Sequence, residues 1–297
     1  MKRIILATMI LLFALSGIAQ HVSTPFSELK EMAACGNGKA QLVLAKHFID
    51  GDSVPKNFYM AMHWYAHAWR NGEGERIKAL FSEMSKPKNR KKYHGFVRFV
   101  DGTVVMNIHQ DYRQSMKLLQ DGYQKGNQED DCLIQQGVLT QTASEEDSIS
   151  LDMTTAEKKR LKERLLSTSS IVQGVIGKGM LEEKGDTVQA LRLLESAAKN
   201  GFVHAHETLG LVYLQSKAPY YDAVKAVYHL QEAERGHLYR TCKWLAFCHE
   251  HEWGCLTKDS TRISELEKRY TDDTDYVYCL MSWLSGEKWF AKRLYEI

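Results

Sequence analysis

The densest group of potential metal ligands is the segment Cys-His-Glu-His-Glu-Trp-Gly-Cys at 248–255. Cys248, His251 and Cys255 share one face if the segment is helical, and thiolate and imidazole are ligands that zinc prefers. The other histidine and the glutamates point elsewhere on such a helix. We therefore favour a disulfide or a solvated helix end over a zinc site here.

Two histidines four residues apart, His63 and His67, could also hold a metal from one helix face. They lie on either side of Trp64, in a stretch where the repeat pattern described below assigns them ordinary surface or groove positions. His204 and His206 face different directions on a helix. We expect no metal site and no cofactor.

Nucleophile motifs are weak. Ser-x-x-Lys occurs several times, first at Ser27, but the companion Ser-Asp-Asn and Lys-Thr-Gly elements are absent. The sequence also lacks a phosphate loop, a dinucleotide-binding fingerprint and a Gly-x-Ser-x-Gly elbow. The sequence therefore contains no motif that indicates an enzyme, and we assign no catalytic residue.

The N-terminus predicts export. Lys2 and Arg3 precede a nearly apolar stretch at 4–18, and Gly17-Ile18-Ala19 resembles a cleavage site. This arrangement is typical of a secretory signal peptide over 1–19, which is too short and wrongly flanked for a membrane span. We expect a periplasmic or secreted protein, with a retained N-terminal anchor as the alternative.

The chain has 6 cysteines, an even number, and export permits disulfides. Four of them follow residue 241, where the repeats fade and an added restraint would help. We expect Cys255 to pair with Cys248 or Cys279, and the sequence does not choose between them. Buried free thiols are the alternative.

The histidines and cysteines described above fall in or beside a sequence pattern that predicts pairs of helices. In residues 40–72 one helix face carries small and large apolar residues, a glycine breaks the helix, and a second such face ends at another glycine. The marking residues are Ala40, Leu44, Ala45, Phe48, Gly51, Ala61, Trp64, Ala68 and Gly72.

The same marks recur downstream at uneven offsets. They are Gly126, Ala197, Gly201, Ala205, Leu209, Gly210, Tyr213 and Gly236. A period of roughly 33–36 residues with this layout predicts stacked helix pairs. Small residues let helix axes approach while large ones fill the space between them. The terminal glycines suit a left-handed helix end, and Asp111 and Asp186 suit N-caps.

This pattern resembles the Sel1-like repeat family, which is related to tetratricopeptide repeats. The match is nearly complete at 40–72, partial at 93–126, 172–201 and 205–236, and poor at 128–169 and beyond 237. The resemblance implies an all-α, right-handed α-solenoid of roughly six to seven antiparallel helix pairs. It also implies a protein–protein interaction scaffold and brings no catalytic residues, because the shared positions are packing positions.

The chain then divides into a signal peptide at 1–19, a lead-in helix at 20–36 and a solenoid at 37–236. Insertions are expected near 84–93 and 142–155. We interpret 237–297 as a degenerate repeat followed by two aromatic-rich helices that cap the last repeat; an aromatic docking surface is the alternative.

Net charge is +2, which excludes the strongly basic character of nucleic-acid-binding proteins. One basic run, at 86–92, falls at an expected insertion, and we predict a solvated loop there rather than an anion or partner site.

We therefore predict an exported scaffold that binds a peptide or protein partner on its concave surface. Variable positions of the first helices would carry the contact: Gln41, Lys46, His47, His206, Glu207 and Val212. An exported, β-lactamase-like hydrolase, suggested only by disulfide-rich members of the resembled family, is the alternative. Binding to a host protein is a variant of the first hypothesis that the chain does not separate from it.

Overall fold

The computed structural model describes residues 25–126, 129–142, 154–183, 185–215, 218–271 and 275–287, and all regular structure in these ranges is helical. The helices are α1 (Phe26–Ala34), α2 (Gly38–Asp50), α3 (Phe58–Ala68), α4 (Gly74–Met84), α5 (Pro87–Val104), α6 (Tyr112–Lys125), α7 (Asp130–Thr142), α8 (Thr155–Thr168), α9 (Ser170–Glu182), α10 (Thr187–Lys199), α11 (Val203–Tyr213), α12 (Ala223–Arg235), α13 (Cys242–Glu250), α14 (Ser260–Thr271) and α15 (Tyr276–Ser285). The predicted signal peptide at 1–19 lies outside the described residues. Within them, no helix combines the length and apolar character needed to cross a bilayer.

Polar side chains cap the helices where the sequence predicts. The Asp111 carboxylate accepts a hydrogen bond from the Gln114 amide at 2.9 Å, and Asp186 accepts from Gln189 at 3.0 Å. Each satisfies an amide that has no partner inside its helix. Both predicted N-caps are therefore confirmed.

Consecutive helices pack as antiparallel pairs: α2 with α3, α5 with α6, α9 with α10, α11 with α12 and α13 with α14. Neighbouring pairs stack through α10 against α11 and α12 against α13. The predicted all-α array of helix pairs is confirmed.

Small residues make these contacts close. Ala45 and Ala68 are completely buried, and a Cβ atom built on Gly210 would lie 2.8 Å from the Leu230 side chain. The apolar residues that mark the repeats are all buried: Ala40, Leu44, Ala45, Phe48, Ala61, Trp64, Ala68, Ala197, Ala205, Leu209 and Tyr213. The residues that carry the Sel1-like resemblance thus do the packing that the resemblance implies.

The terminal glycines divide into two kinds. Gly72 and Gly201 have φ of 86° and 84°, the left-handed conformation predicted for them, as does Gly51 at 72°. Gly126 and Gly236 have φ of −100° and −77°, so the left-handed prediction was wrong for both.

Close packing explains these two glycines instead. A Cβ atom on Gly126 would lie 2.6 Å from the Gly95 Cα atom, and one on Gly236 would lie 2.3 Å from Val203 Cγ1. Both distances are shorter than atoms tolerate, so any side chain would force the neighbouring segments apart.

The first helix pair does not sit at an end of the array. The His63 imidazole hydrogen-bonds the Gly236 carbonyl oxygen at 2.7 Å, and the Asn57 side-chain amide donates to the Ser170 hydroxyl at 3.1 Å. In a simple stack each repeat contacts only its neighbours along the chain. Here α3 and its N-cap Asn57 contact residues from much later helix pairs. The spacing of the repeats along the sequence does not predict these contacts.

Helix α15, the last helix among the described residues, also returns to α3 and packs against α5 as well. Its Leu280 and Leu284 are completely buried, and the Trp283 ring lies 6.3 Å from that of Trp69. We predicted that this helix would cover the last repeat, whereas it covers the first pair. The second predicted capping helix, after residue 287, lies outside the described residues.

The basic run at 86–92 is helical from Pro87 onwards rather than a loop. Helix α5 begins at Pro87, with only two residues between it and the end of α4, and proline suits the first helical position because its missing amide is not needed there. Lys92 pairs with Asp50 at 3.0 Å. Of the second expected insertion, 143–153 lies outside the described residues.

Candidate protein-interaction groove

Helices α1, α2 and α12 and the start of α11 surround an open groove, here called the α1–α12 groove. It contains a cavity of about 240 Å³. Apolar side chains from four segments form its floor: Leu44, Phe48, Val54, Trp64 and Val203. The floor therefore draws on the first repeat and on a repeat more than a hundred residues later.

Charged side chains form the rim of the groove. The Arg235 guanidinium binds Glu31 at 3.0 Å and Glu232 at 3.2 Å, which links α12 to α1. Lys30 and Lys199 are exposed and form no ion pair with the described residues. These two ammonium groups remain available to a ligand.

Two glycines let the later repeat approach the first one closely enough to form the groove. A Cβ atom on Gly201, in its left-handed turn, would lie 3.0 Å from the Phe48 ring. The Gly236 carbonyl meets His63, as described above. Larger residues at either place would lift α11 and α12 away from the floor.

A pair of histidines forms one wall. His206 lines the groove, and its Nδ1 atom lies 3.0 Å from Nδ1 of His229 on α12. The His229 ring stacks on Tyr213 with 17° between the planes. Burial lowers the pKa of both imidazoles to about 4, so both are neutral near pH 7.

Two of the predicted contact residues are buried and offer no surface to a partner. Gln41 is fully enclosed because α1 covers it, and its side chain donates to the Ala33 carbonyl oxygen at 2.9 Å. Val212 is 7% exposed and lies inside the α11 packing face. Because Gln41 and Val212 are buried, we correct the prediction that they contact a partner.

The other four lie at three places. His206 lines the groove, and His47 touches its edge through Phe26, with ring centres 5.3 Å apart. Lys46 pairs with Asp50 on the side facing α5. Glu207 binds Arg240 near a second cavity. The structure therefore places only His206 in the groove, with His47 beside the groove-lining Phe26, and the other two elsewhere.

The second cavity, about 410 Å³, lies between α3, the segment 237–240 and the start of α15. His63, His67, His204 and His237 contribute to its lining. We expected the first two at surface or groove positions; they are 9% and 4% exposed, because residues 236–239 and α15 cover α3.

Burial lowers the pKa of His63 to about 3, that of His237 to about 4, and that of His67 further still. These rings are therefore neutral and pack as aromatic groups. Among the described residues, no three His, Cys, Asp or Glu side chains are placed to hold a metal ion.

All six cysteines are free thiols, so the expected disulfide at Cys255 is absent. Cys248 is buried between α13 and its neighbours, whereas Cys255 lies in the exposed turn that follows. Cys279 is on α15, which packs against α3 instead of α13. The return of α15 to the first pair removes one of the two candidate partners.

The charged rim was not predicted. Lys30 and Glu31 belong to α1, which lies before the first repeat and carries no repeat signature, and Arg235 is the helix-end residue before Gly236. The alternation of charges along α1 is typical of any solvated helix, so the sequence holds no signal for this role.

No family model matches this sequence, and the search of curated proteins also finds no match. Two solved structures are similar. One is a Sel1 repeat protein from Oxalobacter formigenes, with 17% identity, a TM-score of 0.47 and coverage of 81% of this chain and 89% of that chain. The other is a protective antigen present in uropathogenic Escherichia coli strains and displaying an SLR fold, with 20% identity, a TM-score of 0.43 and coverage of 92% of this chain. This chain spans 56% of the length of the antigen.

Proposed function

We propose that this protein is an exported interaction scaffold that binds a segment of a protein partner in the α1–α12 groove. The observation that carries the proposal is an apolar floor beneath a charged rim, assembled from two distant repeats. Binding sites for protein segments commonly combine a desolvated apolar centre with a polar edge.

The size of the cavity favours a side chain over a small-molecule ligand. Its volume of about 240 Å³ is below the range of about 300–1,000 Å³ that small-molecule pockets occupy. The groove is open along α1, so a partner segment can pass over the rim while one apolar side chain enters between Phe48 and Trp64.

The rim favours an acidic neighbour to that side chain. Glu31 and Glu232 are already bound by Arg235, whereas Lys30 and Lys199 have no carboxylate partner among the described residues. A carboxylate on the partner would pair with either lysine. We therefore propose a peptide segment that carries an apolar residue beside Asp, Glu or a terminal carboxylate.

Peptide display against residues 20–297 tests this proposal, with a groove-filling variant as counter-selection. Ser27→Trp places a large ring in the groove from an exposed position on α1, where the fold does not depend on the serine. We expect enriched peptides that share an apolar–acidic pair, bind the unaltered protein and lose binding to Ser27→Trp.

Lys30→Glu should weaken these peptides about tenfold or more, since it replaces attraction by repulsion. The matched control is Lys178→Glu on α9, a lysine 60% exposed and outside the groove. Peptides that bind Ser27→Trp and Lys30→Glu as well as the unaltered protein would show that the groove is not the binding site.

Export is supported by the N-terminal charge and apolar pattern. Expression of the full chain with intact-mass measurement of the processed product tests it, and we expect the mature chain to begin at Gln20. A product that retains residues 1–19 would contradict cleavage.

A further inference from the structure

A second surface, at the end of α12 opposite to the groove, exposes aromatic rings. Tyr221 before α12, Phe247 on α13 and Trp253 after α13 form what we call the aromatic cluster. The Trp253 ring centre lies 6.4 Å from that of Tyr221 and 5.2 Å from that of Phe247, nearly perpendicular to both. Tyr221 is 42% exposed and Phe247 is 39% exposed.

A strained turn holds Trp253 in this place. Glu252, just before it, has φ of 54°, and Gly254, just after it, has φ of 68°. The left-handed conformation is uncommon for a residue with a side chain, and such residues concentrate at binding sites. A Cβ atom on Gly254 would lie 2.8 Å from the Ala223 carbonyl oxygen, so the turn is pressed against the start of α12.

Carboxylates border the cluster. Glu250 reaches Lys258 only at 3.9 Å with both side chains more than half exposed, so this pair is weak. Glu252 is exposed and forms no ion pair with the described residues. The edge of the aromatic surface therefore carries one weak ion pair and one carboxylate, Glu252, without an ion-pair partner among the described residues. The α1–α12 groove, by contrast, has an apolar floor and unpaired lysines.

We propose that the aromatic cluster binds a proline-rich segment in the polyproline II conformation that carries an arginine or lysine. Such segments dock on exposed aromatic surfaces and lose little conformational entropy, because their conformation exists before binding. The glutamates at the edge would pair with the basic residue.

The dimensions agree with this occupant. From Tyr221 through Trp253 to Phe247 the cluster extends at most about 12 Å, which corresponds to roughly four residues of polyproline II at about 3.1 Å each. An amphipathic helix would require apolar contacts over several turns. Among the described residues, Trp253 contacts Tyr221 and Phe247, and Phe247 also contacts the His251 ring at 4.3 Å. This small group of rings favours the shorter extended segment.

Fluorescence anisotropy of a labelled decapeptide that contains Pro-x-x-Pro followed by arginine tests the proposal. We expect saturable binding that weakens with added salt. Phe247→Ala and Tyr221→Ala should each weaken it at least tenfold, and Glu252→Gln should weaken it and reduce its salt dependence. A peptide with alanine in place of both prolines should not bind.

Trp244→Ala is the matched control. Trp244 is on the same helix as Phe247 and 38% exposed, but its ring contacts Lys243 outside the cluster. This variant should bind the peptide normally. Circular dichroism and melting temperature identify any variant that fails to fold.

The groove-filled Ser27→Trp protein should also bind the proline-rich peptide normally, so failure of the proposed function leaves this proposal standing. No binding by the unaltered protein, or equal loss with Trp244→Ala, would overturn it. So would self-association of the unaltered protein that Phe247→Ala abolishes, because a second copy would then occupy the cluster.

Discussion

The imidazoles of His206 and His229 meet nitrogen to nitrogen, with their Nδ1 atoms 3.0 Å apart. Two rings make this contact only when one Nδ1 carries a proton and the other accepts it. A second proton would place two N–H groups against each other. The contact joins α11 to α12 at the wall of the α1–α12 groove, so it links the protonation of these rings to the structure of the groove.

Acid should therefore destabilise the protein. The folded-state pKa of His206 and of His229 is about 4, below the usual value of about 6.5, so the unfolded chain takes up protons first. Their contribution to stability is complete above about pH 6.5 and is lost as the pH falls towards 4. Urea unfolding across this range should show the decline.

His229→Phe separates this effect from general acid sensitivity. Phenylalanine keeps the stacking on Tyr213 but removes the shared proton, so we expect a loss of about 1 kcal/mol near neutral pH and a smaller further loss in acid. The same change at His109, an exposed residue outside this pair, is the control for introducing a phenylalanine. An unchanged slope in His229→Phe would show that the pair does not titrate as described.

Asp131 should act with the opposite sign. Burial raises the pKa of its carboxyl group to about 7, although the group accepts a hydrogen bond from the Phe58 amide at 2.6 Å. The folded protein then binds this proton more tightly than the unfolded chain, so stability from this group falls as the pH rises from about 4 to 7.

Asp131→Asn keeps an oxygen acceptor and removes the titration. We expect the variant to gain stability relative to the unaltered protein as the pH rises from about 4 to 7, by about 1–4 kcal/mol in total, with no further gain above about pH 7. Denaturant midpoints at several pH values measure this. Parallel pH profiles for the two proteins would contradict the raised pKa.

The two kinds of terminal glycine should respond differently to alanine. Gly236→Ala drives a methyl group into Val203 and should cost about 1–3 kcal/mol, since neither segment can move without disturbing the groove. Gly72→Ala meets no atom within 4 Å, so only its left-handed backbone opposes the change, at about 1 kcal/mol.

Val203→Ala tests whether the contact with Val203 is what makes Gly236→Ala destabilising. Combined with Gly236→Ala it should recover part of the lost stability, whereas combined with Gly72→Ala it should only add its own cost. Additive costs in both combinations would mean that the contact with Val203 is not the reason for glycine at 236.

Cysteine reactivity should follow burial. Cys35 and Cys255 are exposed and should react with iodoacetamide first. Burial raises the pKa of Cys242 to about 12 and that of Cys248 to about 11, so their reactive thiolate forms are scarce and they should react only on unfolding. Intact mass without reductant should match six free thiols, and a mass deficit that reductant restores would reveal a disulfide.

The helix faces and helix starts could be predicted because they depend on residues that are close to each other in the sequence. Leu44 and Phe48 mark a buried helix face by spacing alone, and Asp111 and Asp186 mark helix starts by type and position. A repeat pattern therefore specifies each hairpin, since its helices lie close in sequence and pack against each other.

The candidate site depends on contacts that no local pattern contains. His63 is buried because Gly236 returns to it, and Gln41 is buried because α1 covers it. Lys30 lines the groove only because α12 lies opposite α1. These relationships arise from the packing of distant pairs, and His206 alone was both predicted and found in the groove, since it belongs to a repeat and also faces a distant one.

The His63–Gly236 hydrogen bond spans 173 residues, so the packing of the first helix pair is completed by segments made much later. Most helical arrays can be shortened from one end, repeat by repeat, and keep the remainder folded. In this protein a truncation after α11 would leave α3 without the cover of residues 236–239 and of α15. The hairpin of α2 and α3 therefore stays incompletely covered at Trp64 until residues 236–239 and α15 have been synthesised, so we expect these distant segments to fold together.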